Sequence, residues 1–169
     1  MVSERFIFGL ISLHLIMGCT GGDDMCKASI GGRRGACPST WIQWGGKCYK
    51  VITEHLTWIE SKDECTKMGG AMVVPQSQKK TDFLVALVPE AAYLFWINCN
   101  DLEEKDTWKC QDGTDEVEFR NWDPLNSQPD NWGHNEHCAG VWSGGKWNDF
   151  QCDTTLPAIC IRPAPQLHF

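Results

Sequence analysis

The chain has 169 residues, with 15 Lys and Arg against 22 Asp and Glu, a net charge of −7, 10 cysteines and 9 tryptophans. That length is one domain by the usual prior of ~100–200 residues per domain. The acidic balance, with basic runs no longer than the pairs Arg33-Arg34 and Lys79-Lys80, excludes nucleic acid as a partner, because phosphate binding needs a concentrated Lys/Arg surface.

Residues 6–17 are apolar apart from Ser12 and His14, with Arg5 before them and Gly18, Cys19, Thr20 and Gly21 after. A basic flank, ~7–15 apolar residues and small residues beyond describe a secretory signal. The run is too short for a bilayer, which takes ~20 residues. We expect a signal peptide over 1–22, a leader over 23–36, and a secreted, extracellular product that is not inserted in a membrane. An uncleaved anchor is the alternative.

Cys37 and Trp41, then Lys47-Cys48-Tyr49-Lys50-Val51, flank Gly45-Gly46. This reads as a hairpin with a glycine turn. Thr57 and Glu60 form a capping box, and Trp58, Ser61, Cys65 and Met68 then share one helical face. Gly69-Gly70 ends that helix. Residues 71–74 read as a strand. Ser77 caps a second helix with Phe83, Leu84, Leu87 and Val88 as its buried side and Pro89 as its stop. Residues 92–97 read as a buried strand. Residues 98–135 are polar and rich in Gly, Pro, Asn and Asp, a long loop region of the kind that is uncommon unless functional. Strands follow over 138–142 and at Trp147, around Gly144-Gly145, with a last strand over 158–161. A hairpin, two helices, then strands and loops predict an α+β fold. Each of the nine tryptophans needs a buried place or a binding surface.

Cys19 falls at the signal boundary and Cys26 in the leader; eight cysteines remain from Cys37 onward. In a secreted chain an even set reads as a disulfide framework. Its connectivity stays open, since eight cysteines allow on the order of a hundred pairings. Structural zinc would want Cys-x2-Cys knuckles, which are absent. Cys26 is the odd thiol, and the expectation is a covalent homodimer, with a blocked thiol or a Cys19–Cys26 pair as alternatives.

Taken jointly, Cys37-Pro38-x3-Trp41, Cys48-Tyr49, Trp58-x6-Cys65-x3-Gly69-Gly70, Phe95-Trp96-Ile97-Asn98, Gln128-Pro129-Asp130, Cys138, Trp147-Asn148-Asp149, Cys152 and Cys160 resemble the C-type lectin-like domain. The resemblance runs over 37–163 and leaves a tail over 164–169. It implies a carbohydrate-recognition domain with the bridges Cys37–Cys48, Cys65–Cys160 and Cys138–Cys152. Cys99 and Cys110 depart from the commonest pattern and are paired by elimination as a local clamp.

Gln128, Asp130, Glu136, Asn148 and Asp149 are all hard oxygen donors, the kind of which Ca²⁺ takes ~6–8 at about 2.3–2.6 Å. Asn, Asp and Gln are also ordinary loop formers. Their order relative to Cys138 and Cys152 favours the calcium site. The resemblance implies a cis bond between Gln128 and Pro129. It also implies that Gln-Pro-Asp selects galactose or N-acetylgalactosamine, where Glu-Pro-Asn selects mannose. Trp132 stands where galactose-binding relatives carry a stacking indole. The short Gly133-His134-Asn135 segment is nearer in length to mannose-type relatives. The expected partners are galactose-type glycans on glycoproteins or cell surfaces. A second calcium position, near Asp101 and Asn131, is expected to be poor because Lys105 and His137 stand where acidic residues are wanted.

No enzyme is expected. Gly-x-Ser-x-Gly, phosphate-loop and dinucleotide fingerprints are absent. His134 and His137 flank Glu136 in a loop at a spacing of three, not the i, i+4 spacing of a zinc-binding helix. The alternative function is a protein-, ice- or mineral-binding module on the same fold.

Overall fold

The computed structural model describes residues 35–89, 94–113 and 115–167. The signal, most of the leader, Cys19 and Cys26 lie outside them. The described elements are β1 (Ile42–Trp44), β2 (Lys47–Leu56), α1 (Trp58–Lys67), β3 (Ala71–Met72), α2 (Gln78–Leu87), β4 (Phe95–Asn100), β5 (Lys109–Asp112), β6 (Asp115–Glu116), β7 (Cys138–Val141), β8 (Trp147–Phe150) and β9 (Leu156–Pro163). The fold is α+β, as expected. Among the described residues no helix is long and apolar enough to cross a membrane.

The strands form one sheet in the order β1-β2-β9-β4-β5-β6, with β3 on β9 and β7 joining β4 to β8. The period-two alternation of strand side chains divides the core in two. Ile159 and Ile161 of β9, with Phe95, Ile97 and Cys99 of β4, pack on one side with Leu84 of α2. Ala158 and Cys160, with Trp96, pack on the other with Trp58 and Cys65 of α1.

The hairpin forms later than expected, from Ile42, because Gly45 and Gly46 at φ 56° and 74° set the two-residue turn and pair Trp44 with Lys47. The capping box is made: Glu60 N–H donates to Thr57 Oγ1 at 3.4 Å and Thr57 N–H to Glu60 Oε2 at 2.9 Å. Thr57→Ala should therefore lower stability by about 1 kcal/mol. A urea unfolding midpoint unchanged from wild type would refute it. Gly70 follows α1 where a Cβ would lie 2.5 Å from the Ile161 carbonyl oxygen, so the helix end packs directly on β9.

Three strands differ in extent and one helix in its buried face. The strand expected over 71–74 is regular only as β3, though Val73 N–H still donates to Ile159 O at 2.9 Å. The strand expected over 92–97 runs as β4 to Asn100, and 90–93 lie outside the described residues. The strand expected over 158–161 is longer, as β9. The buried side of α2 is Lys80, Thr81 and Leu84, while Phe83 and Leu87 are partly exposed. Lys80 is buried because Asp112 waits for it: the Asp112 carboxylate takes Lys47 Nζ at 2.8 Å, Gln76 Nε2 at 2.5 Å and Lys80 Nζ at 3.6 Å. Burial pushes the Lys80 ammonium below its usual range against the pull of Asp112. Burial, then Asp112, pushes the neighbouring Tyr49 up to about 12.

The structure joins Cys37–Cys48, Cys65–Cys160, Cys99–Cys110 and Cys138–Cys152, the four pairs expected. Cys99 and Cys110 lie directly opposite each other in the β4–β5 ladder. The tail is tied down in part, since Gly35 N–H donates to Pro165 O at 2.7 Å.

Candidate functional site

The site is built on β8. Trp147 and Asp149 alternate inward, and both are fully buried. The Trp147 ring meets Trp122 at 5.7 Å and Phe119 at 6.0 Å, and Trp122 meets Trp108 at 4.6 Å. These rings hold the polar loop against the core. Beside them, Asp123 N–H donates to Trp147 O at 3.0 Å, and Gln128 N–H donates to Asp123 O at 2.9 Å. The Asp123 carboxylate accepts from Leu125 N–H at 2.9 Å and Asn126 Nδ2 at 2.7 Å. The Asn126 hydrogen bond holds that carboxyl below its usual range. The turn leading to the Gln128-Pro129-Asp130 triplet is thus anchored to the strand that carries Asn148 and Asp149.

The triplet and its successor fold back over Asp149. The Gln128-Pro129 bond is cis. Ser127, Asn131, Gly133 and His134 all have positive φ, between 48° and 68°. Non-glycine residues rarely adopt that conformation, and where they do the surroundings hold them there. At Asn131 the holder is a carboxylate. Asp149 accepts from Asp130 N–H at 3.2 Å and Asn131 N–H at 2.7 Å. Trp132 N–H lies 3.1 Å from Asp130 Oδ1 and 3.0 Å from Glu136 Oε2. Asn131 Oδ1 accepts from Glu136 N–H at 3.0 Å.

The result is a knot of negative charge. One carboxylate oxygen from each of Asp130, Glu136 and Asp149 lies within 4.8 Å of the others. Among the described residues, no basic side chain pairs with any of them. Burial, then the charge of Asp149, raises the Glu136 carboxyl above its usual range. Burial raises Asp149 against three backbone N–H donors. A cation among them would reverse the repulsion. Above the knot lies a hollow of about 360 Å³ lined by Asn126, Gln128, Asp130, Trp132, Glu136, Trp142 and Asn148.

All six residues expected at the site therefore converge: Gln128, Asp130, Trp132, Glu136 and Asn148 on the hollow, and Asp149 beneath it. Sequence reasoning missed Asn126 and Trp142 as lining residues. Asn126 read as part of the long polar loop and Trp142 as a strand end. The residues considered for a second calcium position are otherwise engaged. Asp101 Oδ1 lies 2.9 Å from His137 Nδ1, and Asp101 Oδ2 accepts from Asp106 N–H at 2.8 Å. That pairing holds the His137 ring on Asp101.

Residues 54–162 match the family described as Lectin C-type domain. The chain is 32% identical to the hepatic lectin of Gallus gallus over 133 residues, covering 78% of this chain and 62% of that protein. It is 32% identical to lactose-binding lectin l-2 of Anguilla japonica over 137 residues, covering 79% of this chain and 82% of that protein. It thus spans less than two thirds of the hepatic lectin. The solved carbohydrate-recognition domain of the mouse scavenger receptor C-type lectin superposes with a TM-score of 0.69 at 32% identity, covering 76% of this chain and 99% of that one. A Ca²⁺-dependent type II antifreeze protein, in its Ca²⁺-free form, superposes with a TM-score of 0.66 at 27% identity, covering 75% of this chain and 99% of that one. The fold, the four bridges and the sequence match agree, and the chain belongs to the C-type lectin domain family.

Proposed function

We propose that this chain is a secreted, calcium-dependent lectin for galactose-type glycans, with Gln128, Asp130, Glu136, Asn148 and Asp149 as the calcium ligands. The observation that carries the reading is the convergence of three carboxylates with no basic partner among the described residues, under a hollow lined by three amides. The donor set fits a hard divalent cation: all oxygens, no sulfur, and three charges for two. Held by these residues, Ca²⁺ would supply open coordination positions for sugar hydroxyls.

The chain's own residues supply the selectivity. Carboxylates only accept hydrogen bonds, whereas the amides of Gln128 and Asn148 both donate and accept. The order of amide and acid around the centre therefore fixes which pair of hydroxyls is satisfied. The order Gln128, Asp130 favours galactose, by the family resemblance. Trp132 is 73% exposed at the rim, where it can meet the apolar face of a sugar. Lactose, named for the Anguilla japonica relative, is a galactoside.

The decisive experiment is a galactose-agarose column. We expect retention with calcium, release by EDTA, and elution by free galactose at lower concentration than by free mannose. Replacing Gln128 and Asp130 by Glu and Asn together should reverse the order of the two sugars. Elution of the wild type at lower mannose concentration would overturn the galactose assignment. Retention in excess EDTA would overturn the calcium assignment. Single-site affinity should be weak, so useful avidity needs several sites, for which a dimer through Cys26 is one route. The second reading, an ice-, mineral- or protein-binding module, is favoured by the likeness to the antifreeze protein. It predicts no retention on the sugar column.

A further inference from the structure

The hollow is lined by two indoles from different segments, Trp132 from the loop and Trp142 from the end of β7. They differ in how they are held. Trp132 has no aromatic contact among those found between described residues, and 73% of its surface is accessible. Trp142 stacks on Phe150 at 6.3 Å and 26° between the planes. Phe150 stands edge-on to Trp96 at 5.7 Å, and Trp96 is fully buried with its Nε1 donating to Leu56 O at 2.9 Å. Trp142 is thus braced from the core outward, yet 39% of it stays accessible.

We propose that Trp142 is a second saccharide-binding residue, the shelf for the ring linked to the galactose at the ion, so that the preferred ligand is an oligosaccharide of at least two rings. The inference rests on the lectin reading above. A ring already fixed in place loses little freedom when a ligand stacks on it, so its contact is kept as affinity. An aromatic shelf takes the apolar C–H face of a pyranose. Hydroxyls at the edge of that second ring then meet the amide of Asn126, which lines the same hollow. The bland alternative is that Trp142 only covers Phe150.

Affinities for methyl β-galactoside, methyl α-galactoside, lactose and melibiose, measured in calcium by titration calorimetry, separate the two. The disaccharides carry a second ring in β and α linkage respectively. In the wild type at least one should bind about two- to tenfold more tightly than its methyl galactoside, the range set by one aromatic contact. Trp142→Ala should erase that gain, so that each disaccharide binds no more tightly than its methyl galactoside. Trp142→Phe, which keeps a ring on Phe150, should retain much of it and controls for loss of folding. Equal affinity of the disaccharides and methyl galactosides in the wild type, or a gain that survives Trp142→Ala, would overturn the inference while leaving the lectin reading intact. Failure of the wild type to bind any of the four would instead overturn the lectin reading, and this inference with it.

Discussion

Asp149→Ala should abolish calcium-dependent retention on galactose while leaving the fold and its four bridges in place. Asp149 is the fully buried member of the carboxylate knot. Its two oxygens hold the backbone of Asp130 and Asn131, so on the proposed assignment its loss removes a calcium ligand and releases the segment that presents two more. Stability should respond differently. A buried carboxylate with no cation is costly, as the upward push on its pKa records. Removing it offsets the lost backbone hydrogen bonds, each worth about 0.5–1.5 kcal/mol. The unfolding midpoint in EDTA should therefore move little. In the wild type, calcium at a hundred times its dissociation constant should add about 2.7 kcal/mol. In the variant it should add nothing. Calcium-dependent stabilisation of Asp149→Ala equal to wild type would show that the ion sits elsewhere.

Much of this arrangement is legible in the sequence, because local rules and spacing carry it. The capping box at Thr57 and Glu60, the glycine turn at Gly45-Gly46 and the helix cap at Ser77 are short-range chemistry, and each is made as read. The site residues are legible through the family pattern, which supplies long-range placement that periodicity cannot. What stays hidden is long-range contact between residues of unremarkable type. Lys80 on the inner side of α2 is unreadable until Asp112, from β5, is seen to meet it. Trp142 looks like the end of an apolar strand, and only the fold shows it turning onto the hollow. Asn126 looks like part of the long polar loop until Asp123 fixes it at the same rim.

Trp147→Ala should damage both stability and site, and through the same contacts. The indole is fully buried against Phe119 and Trp122. Truncating a buried aromatic side chain costs about 3–5 kcal/mol. The cavity would open between β8 and the loop that carries Asp123 and the triplet. The backbone bonds of Trp147 to Asn121 and Asp123, both 2.9–3.0 Å, depend on that packing to keep the loop in register. Calcium affinity should therefore fall even in protein that remains folded. Met72→Ala serves as the comparison. Met72 is equally buried but belongs to the other half of the core, and its truncation costs about 2–5 kcal/mol. That loss should leave calcium affinity of the folded protein near wild type. Trp147→Phe should cost less than Trp147→Ala, since it keeps most of the ring contact and removes an indole N–H that has no hydrogen-bond partner among the described residues. Calcium titration of the three variants below their unfolding temperatures is the measurement. Equal loss of calcium affinity in Met72→Ala and Trp147→Ala would show that the site reports overall stability. A selective loss in Trp147→Ala would show that the aromatic cluster positions the ligands, because the two substitutions differ chiefly in which half of the core they empty.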